Sequence, residues 1–592
     1  MFKKSLLCAA VLTGLSACSL EISTDDQADM PQGDVQVNMD VVGRVVLNPQ
    51  SPEGAAEIVA FQKSTGYIYA INSSGDEATV EVIDLNGVDA NALTADVEGV
   101  INNENLSIMY TLKVNDDVDG DANSIAIHDG EELLAVAMAA ETGTKGKIAF
   151  YDISGATPAF IKAVEVGYLP DMVTFNNAGT QVLVANEGEP SDDYSVDPEG
   201  SISIIMIANG VIANQALDLD FADYDNKKDM LVSQGVKFAN PNGASVSQDL
   251  EPEYVAVSSD DKVAFAVMQE NNAMAVIDLS NKEIKTIYGL GFKNWNMYKI
   301  DVSDKDSGIE LKNYENLYGM YQPDTIAAYT VDGKSYVVTA NEGDAREYID
   351  DALSGGSVED ENKQACETKH PNGLYDFDDG EEICFSYLEE YRIKDLDDIA
   401  PLSADLQAIF DENGGKDGFG RLKVTTALGY NAANDEYENL YAYGARSFSI
   451  FDEMGNLVFD SGDDFEMYTS LMHGEAFNND EDVNESDTRS DAKGPEPEAL
   501  AIGKIDGRTY AFIGLERMGG IFVYDITDPY NVSYSNYVIN RGLVEDADIT
   551  GDLAPEGMKF VDAANSPTGT PLLIVGNEIS GSVSVWEVSV DK

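Results

Sequence analysis

Residues 170–189 read PDMVTFNNAGTQVLVANEGE, and this stretch decides the fold. Apolar and polar side chains alternate through Asp171 to Phe175, a turn follows around Gly179, and a nearly unbroken apolar run ends at the polar pair Asn186-Glu187. Alternation marks a half-buried strand, and a short continuous apolar run bounded by turn residues marks a strand covered on both faces. The same grammar recurs at Pro252-Glu253 (252–279), Pro323-Asp324 (323–344), Pro497-Glu498 (497–526) and Pro555-Glu556 (555–588). Each fuller copy adds a polar loop and a third alternating strand that ends near Asp.

Three further segments fit without the proline: Glu57 to Leu85, Asn123 to Ile153, and a weaker copy made of RLKVTTALGY (421–430) and NLYAYGARSFSIFD (439–452). That makes eight candidate units. A unit of three or four antiparallel strands cannot bury both faces alone, and closing the copies into a ring leaves only short edges. The expectation is an all-β fold, a β-propeller of seven or eight blades with long inter-blade loops. A β-helix or a row of sandwiches is the competing architecture. A single propeller domain is expected over 41–592, after an acidic linker at 19–40, with an insertion at about 349–420 that carries a short helix in SADLQAIFDENG.

In a propeller the start of each inner strand and the end of the next antiparallel strand lie at the same end of the channel. The starts supply Glu57, Asn123, Asp171, Glu253, Asp324, Glu498 and Glu556. The ends supply Asn186-Glu187, Glu270-Asn271, Asn341-Glu342, Glu516-Arg517 and Asn577-Glu578. Both sets are expected on one rim. Crowded carboxylates raise one another's pKa unless a cation offsets them. Hard oxygen ligands in this number suit Ca²⁺, with Mg²⁺ as second choice. Arg346, Arg446 and Arg517 follow the same strands, and an Arg beside a carboxylate-held cation suits an oxyanion. The alternative is structural: Pro-Glu shapes the loop, and the acids cap amides or pair with these arginines.

Composition agrees with a folded, very acidic protein. The 592 residues hold 36 Lys+Arg against 107 Asp+Glu, a formal charge of −71, which excludes a nucleic-acid-binding surface. With 43% apolar residues the chain can still bury a large core. The N-terminus, MFKKSLLCAAVLTGLSAC, has a basic start and an apolar run too short to span a bilayer permanently, as in an export signal. Leu15-Ser16-Ala17-Cys18 resembles the lipobox of bacterial lipoproteins, which implies lipidation of Cys18; an ordinary secretory signal is the alternative. Ser19 in place of Asp implies an outer-membrane lipoprotein, on its periplasmic or surface face, held by lipid alone. Of the remaining cysteines, Cys8 lies in the signal, and Cys366 and Cys384 are expected to form a disulfide, with metal ligation as the weaker alternative.

Two runs, Asp117 to Asn123 and Asp301 to Gly308, have the alternating oxygens and Gly of a calcium loop, but neither ends in the Glu of an EF-hand. His128, His370 and His473 stand far apart, outside any zinc-ligand spacing. No G-x-S-x-G elbow, P-loop or dinucleotide fingerprint occurs in a supporting context.

The motifs LPDMVTF, LVANEGEPSDDY, DPEGSISII, YQPDTIAAY, VTANEGDAREY, GARSFSIFD, FDSGDDFE and GPEPEALAIG resemble the bacterial choice-of-anchor I family, itself similar to mesenchyme-specific cell-surface glycoproteins of animals. The resemblance runs from about Val41 to Glu587. It implies a propeller-like body on a surface or secreted protein, and some relatives carry alkaline-phosphatase-like or phytase-like labels. A phosphoesterase would use the matching positions Glu187, Glu189, Glu342, Asp344, Arg346, Arg446, Glu498, Glu516 and Arg517, with cation-held water as nucleophile. Three functions stay open: a cation-binding propeller that presents a ligand or partner surface, a calcium-dependent phosphoesterase acting on a phosphate ester, and a non-catalytic adhesive protein contacting a surface macromolecule. The expected cation ligands are Asp171, Glu187, Glu189, Glu253, Glu270, Asp324, Glu342, Asp344, Glu498, Glu516, Glu556 and Glu578, with the catalytic role unassigned among Arg346, Arg446 and Arg517.

Overall fold

Each Pro-acid copy folds into an antiparallel sheet because its second strand is apolar on both faces and needs a neighbour on each side. In the computed structural model, which describes residues 35–591 except 76, 131, 192–193, 241–242, 307, 351–352, 355–358, 370–375, 379–382, 482–483 and 546, the second strands Leu133–Ala139, Gln181–Asn186 and Leu572–Asn577 are buried at every position. Outer strands face water, as Ile108–Lys113 does at all but one residue.

Among the described residues seven blades form the ring. Their inner strands, in chain order, are Val59–Gln62, Asp121–His128, Pro170–Phe175, Tyr254–Val257, Ile326–Val331, Pro497–Ile505 and Pro555–Val561, here blades 1 to 7. Consecutive inner strands touch all the way round, blade 7 against blade 1 included. Between each neighbouring pair lies one apolar cluster. Leu183 and Ile202 of blade 3 meet Ala264 and Ile277 of blade 4, Ile450 of blade 5 meets Ile513 of blade 6, and Ile574 of blade 7 meets Phe61 of blade 1. Full burial of one such side chain contributes about 1.5–3 kcal/mol, so the ring is held mainly by these interfaces.

The ring closes through the N-terminal strand Val37–Val46, which pairs antiparallel with Ser582–Val590 and supplies the outermost strand of blade 7. This strand begins inside the segment 19–40 read as a linker. Arg44 locks the closure: its buried guanidinium donates to Asp552 Oδ1 at 2.7 Å and to the carbonyls of Asn102 and Gly551, both at 2.9 Å.

The weak eighth copy is not a blade. Lys423–Thr425 and Leu440–Ala442 belong to a separate five-stranded sheet with Phe292–Asn294, Leu317–Met320 and Glu390–Arg392, whereas Ser447–Asp452 is the third strand of blade 5. Blade 5 makes two strands, leaves at Asn341, and resumes at Ser447 after a long excursion. The excursion therefore spans 342–446, wider than the expected 349–420. Its Leu396, Phe419 and Tyr437 pack with Trp295 and Leu317 from the chain before blade 5. Within it, Ser403 caps the short helix Ala404–Glu412, and Cys366 and Cys384 are joined in a disulfide with Cα atoms 5.8 Å apart. Cys18 and the signal lie outside the described residues. Among the described residues no helix is long and apolar enough to cross a membrane.

Candidate metal centre

A backbone device aims the acids at the channel end. In blades 3, 6 and 7 the Pro-acid pair sits in a β-bulge: Pro170 faces Asn186 while Val173 faces Val184, and the same extra residue recurs after Pro497 and Pro555. Blade 2 places Asn123 in a bulge between Ala122 and Ser124. A bulge bends the strand and re-aims the side chain at that point. The proline is tolerated because it opens the strand.

The residue before the proline is strained. Leu169, Gln322, Glu496 and Ala554 have φ of 45°, 40°, 52° and 60°, a region that costs a non-glycine residue about 1–3 kcal/mol. Their carbonyls explain the geometry. Leu169 O accepts from Glu187 N at 2.9 Å, Glu496 O from Glu516 N at 2.7 Å, and Ala554 O from Glu578 N at 2.8 Å; in blade 5 Gln322 O accepts from Gly343 N at 3.1 Å. Each bond ties the acid that opens a blade to the end of that blade's second strand. Pro-acid thus shapes the loop and gathers carboxylates at once.

The asparagines of the Asn-Glu pairs do not face the rim. Asn186 donates to Ser203 Oγ at 3.0 Å, Asn341 to Ser449 Oγ at 2.8 Å, and Asn577 to Ser584 Oγ at 3.1 Å. The serines pass the chain on to a carboxylate, Ser203 to Asp218 and both Ser447 and Ser449 to Asp460. This buried clamp fixes the second strand to the third and leaves the adjacent glutamate to project. Its sequence signal, Ser-x-Ser opening the third strand (201–203, 447–449, 582–584), was available but unread.

Carboxylates from four blades surround a cavity of ≈240 Å³ lined by Asp171, Glu187, Glu253, Glu270, Asp324, Asp344 and Glu556, together with Tyr254. Glu57, Glu498, Glu516 and Glu578 stand close enough to act on the same set. Two triads bring one oxygen from each residue within 4.8 Å of the others: Glu187, Glu251 and Glu270, and Asp324, Glu342 and Glu498. Glu251 Oε1, Glu270 Oε2 and Glu498 Oε2 are buried without a hydrogen-bond partner. Buried carboxylate oxygens without a partner, gathered in such triads, are of the type that could hold a hard cation. Glu251, which precedes Pro252, was missed in the sequence because it falls outside the repeated pair.

Burial and crowding raise most of these acids above the usual carboxylate range. Burial, then Glu270, pushes Asp171 up to about 7; burial, then Glu342, pushes Asp324 up to about 8; burial, then Glu578, takes Glu57 to about 7. Glu253 and Glu270 shift in opposite directions. Burial and Glu270 raise Glu253, while for Glu270 the hydrogen bond from Glu253, with Arg346 and Lys237, outweighs burial and lowers it.

A third triad, Glu342, Glu496 and Glu516, is neutralised by the protein itself. Lys493 Nζ lies 2.7 Å from Glu342 Oε1 and 3.2 Å from Glu496 Oε2, and Gln269 Nε2 donates to Glu342 Oε2 at 2.8 Å. Arg489 and Arg517 complete the shell of Glu496. Lys493 was not read as a rim residue, since nothing in its local sequence links it to Glu342.

The three candidate arginines are committed. Arg346 is buried against Glu251 at 2.7 Å and Asp249 at 3.3 Å. Arg446 is buried with one amino group on Glu466 and the Asp301 carbonyl and the other on the Ser490 and Ala492 carbonyls. Arg517 reaches Glu481, Glu496 and Glu516. Glu189 lies beside Glu187 and Glu251. Neither calcium-loop run supplies a carboxylate triad among the described residues. Asp301 accepts from the Ser303 and Glu310 amides, and Asp304 pairs with Arg421 at 2.7 Å and Lys305 at 2.7 Å. His473 is half-buried against Tyr537, its pKa lowered to about 4 by desolvation and Arg541, and His370 lies outside the described residues.

A sequence model of the choice-of-anchor I domain matches residues 57–529. The chain is 29% identical over 309 residues to a mesenchyme-specific cell surface glycoprotein of Strongylocentrotus purpuratus, covering 49% of this chain and 36% of that protein. It is 32% identical over 183 residues to Gigasin-3a of Magallana gigas, covering 28% of this chain and 64% of that protein. The matched regions span less than two thirds of either relative. The Cps50 (Swd1) β-propeller domain of Myceliophteria thermophila aligns over 93% of this chain and 100% of its own, at 8% identity and a TM-score of 0.40.

Proposed function

The chain belongs to the choice-of-anchor I family, and we propose that its carboxylate rim binds divalent cations, Ca²⁺ first, on a lipid-anchored surface protein that presents this end to a ligand or partner. The observation that carries the reading is the pair of carboxylate triads with buried, unpartnered oxygens, of which Glu187, Glu270 and Asp324 line the cavity. Ca²⁺ suits the site better than Mg²⁺, because it accepts six to eight oxygens in a flexible cage and the rim offers carboxylates from several independent loops. The cell-surface name of the sea-urchin relative supports a surface location, and the lipobox-like segment ending at Cys18 supports the anchor.

Calorimetric titration of metal-stripped protein with CaCl₂ and MgCl₂ tests the reading. Saturable Ca²⁺ binding that weakens in both Glu270→Gln and Glu498→Gln is expected. No binding heat, or binding unchanged in both variants, would sink it.

A calcium-dependent phosphoesterase would need a cationic donor free to meet phosphate beside the metal. Arg346, Arg446 and Arg517 are all spent on carboxylates or carbonyls, which favours the binding reading. Calcium-dependent phosphate release from a monoester or diester panel, lost in Glu498→Gln, would reverse that preference.

A further inference from the structure

Ile300 and Lys312 close a loop with two backbone bonds, of 2.9 Å and 3.1 Å, and that loop carries Asp301 and Asp306 of the calcium-like run. Two other segments meet it. The helix Asp464–His473, which follows blade 5, brings Glu466, and the chain leading into blade 6 brings Asn478 and Asp487. A series of hydrogen bonds ties the three segments together. Arg446 donates to the Asp301 carbonyl at 2.9 Å and to Glu466 Oε1 at 2.5 Å. Asn478 Nδ2 donates to the same Oε1 at 3.1 Å and to Ser490 Oγ at 2.9 Å, and Ser490 Oγ donates to Asp487 Oδ1 at 2.6 Å.

Three oxygens are left over. Glu466 Oε2 and Asn478 Oδ1, on side chains 1% and 0% exposed, and Asp306 Oδ1 are buried with no hydrogen-bond partner. The Asn478 amide is oriented by Glu466 Oε1, a carboxylate oxygen that can only accept, so its own oxygen is the atom left over. All three are acceptors, and none can satisfy another. Charge is unbalanced as well. Asp301, Asp306 and Glu466 all act on Asp487, against the single guanidinium of Arg446 bonded into the group. Lys312, which also acts on Asp306, is bonded to Glu310 at the exposed edge. Burial, then Asp301 and Glu310, pushes Asp306 up to about 6. Burial, then Asp301, Asp306 and Glu466, pushes Asp487 up to about 7 despite the Ser490 bond. A water would fill the hydrogen bonds and leave the charge, whereas a cation answers both. The donors are carboxylate and amide oxygens from separate segments, a mixture that Ca²⁺ accepts in a flexible cage.

We propose that Asp306, Glu466, Asn478 and Asp487 bind a divalent cation, Ca²⁺ before Mg²⁺, at a second site that fastens the 300–312 loop to the chain entering blade 6. Asp301 shapes the loop and is not a ligand, because its two carboxylate oxygens accept from the Ser303 and Glu310 amides. The site shares no residue with the rim and stands if the rim binds nothing.

The test counts Ca²⁺ bound per chain, by dialysis of the whole metal-stripped protein against CaCl₂ or MgCl₂, in a Glu270→Gln/Glu498→Gln background that weakens the rim. Bound Ca²⁺ should persist in that background, and its affinity should fall about tenfold or more on adding Asp306→Asn or Asp487→Asn. A failed rim shows instead as equal Ca²⁺ counts in the parent and the background. In the otherwise unchanged protein, Asp306→Asn and Asp487→Asn should each raise the metal-free Tm by relieving repulsion and shrink the rise that Ca²⁺ gives. Hydrogen exchange across 300–312 should slow with Ca²⁺ in the parent and not in these variants. No Ca²⁺ bound by the background protein up to roughly 5 mM, or affinity and Ca²⁺ response unchanged in both variants, would overturn the proposal.

Discussion

Lys493 Nζ sits 2.7 Å from Glu342 Oε1, so a lysine from the loop before blade 6 supplies a positive charge to an acid at the end of a strand in blade 5. The same ammonium lies 3.2 Å from Glu496 and 3.7 Å from Asp344. Of the three carboxylate triads among the described residues, that of Glu342, Glu496 and Glu516 is balanced by the chain, whereas the other two meet a cation of the protein through one member each, Glu251 on Arg346 and Glu342 on Lys493. Buried Glu342 joins the two kinds, since it belongs both to the Lys493 triad and to the triad with Asp324 and Glu498.

Lys493→Met should destabilise the metal-free protein by about 3 kcal/mol, because removing one partner of a buried pair strands the other charge. Added Ca²⁺ should recover part of that loss, giving a larger rise in Tm than in the parent protein. Thermal unfolding with and without Ca²⁺ checks this, and an unaltered Tm in both conditions would contradict it.

Metal-free stability should fall as pH rises. Asp171, Glu57 and Asp324 titrate near 7, 7 and 8 in the folded chain, raised by burial and neighbouring acids, whereas unfolded carboxyls titrate near 4. Between about pH 4 and pH 8 the folded state binds more protons than the unfolded one, so stability declines across that window. Ca²⁺ favours the ionised acids, and its stabilising increment should be larger at pH 8 than at pH 5.5, with proton release on binding at pH 7. Denaturant midpoints at the two pH values decide the matter; a metal-free protein more stable at pH 8 would reject this account of the rim.

Asn341→Ala should cost about 1–3 kcal/mol by leaving the buried hydroxyls of Thr339 and Ser449 short of a partner. Ca²⁺ affinity should stay within about twofold of the parent, because the Asn faces into the blade. Urea unfolding and calcium titration of one preparation separate the two effects. A large loss of affinity at unchanged stability would mean that the Asn is part of the rim.

Arg44→Met should destabilise by about 3–5 kcal/mol, since it leaves Asp552 buried without its cation at the ring closure. Hydrogen exchange should rise first along Val37–Val46 and its partner Ser582–Val590. Uniform exchange across all blades would instead mean that closure is not the weakest point.

Much of the ring was legible because its signals are local. Val173 and Phe175 alternate, Gln181 to Asn186 buries both faces, and Pro170-Asp171 marks a bulge, all within 20 residues. The blade count was less legible. The third strand of blade 5 lies beyond an excursion of 342–446, and the apolar pattern of 439–452 looks like a blade although its first half belongs to another sheet. The asparagine of each Asn-Glu pair was misplaced for a different reason. Strand-end position fixes where the backbone goes, whereas the Ser-x-Ser acceptors that turn Asn186, Asn341 and Asn577 inward come from the next strand.

The sequence by itself determined the strands, their repeat and the gathering of the Pro-acid residues at one end of a channel, because alternation, turns and bulges depend on neighbours a few positions away. Tertiary structure alone decided which acids are neutralised and which remain open. Lys493 meets Glu342 across 151 positions and Arg44 meets Asp552 across 508. Coulomb energies fall off over a few ångströms of space and take no account of distance along the chain, so the charge balance of each site exists only once the ring has closed.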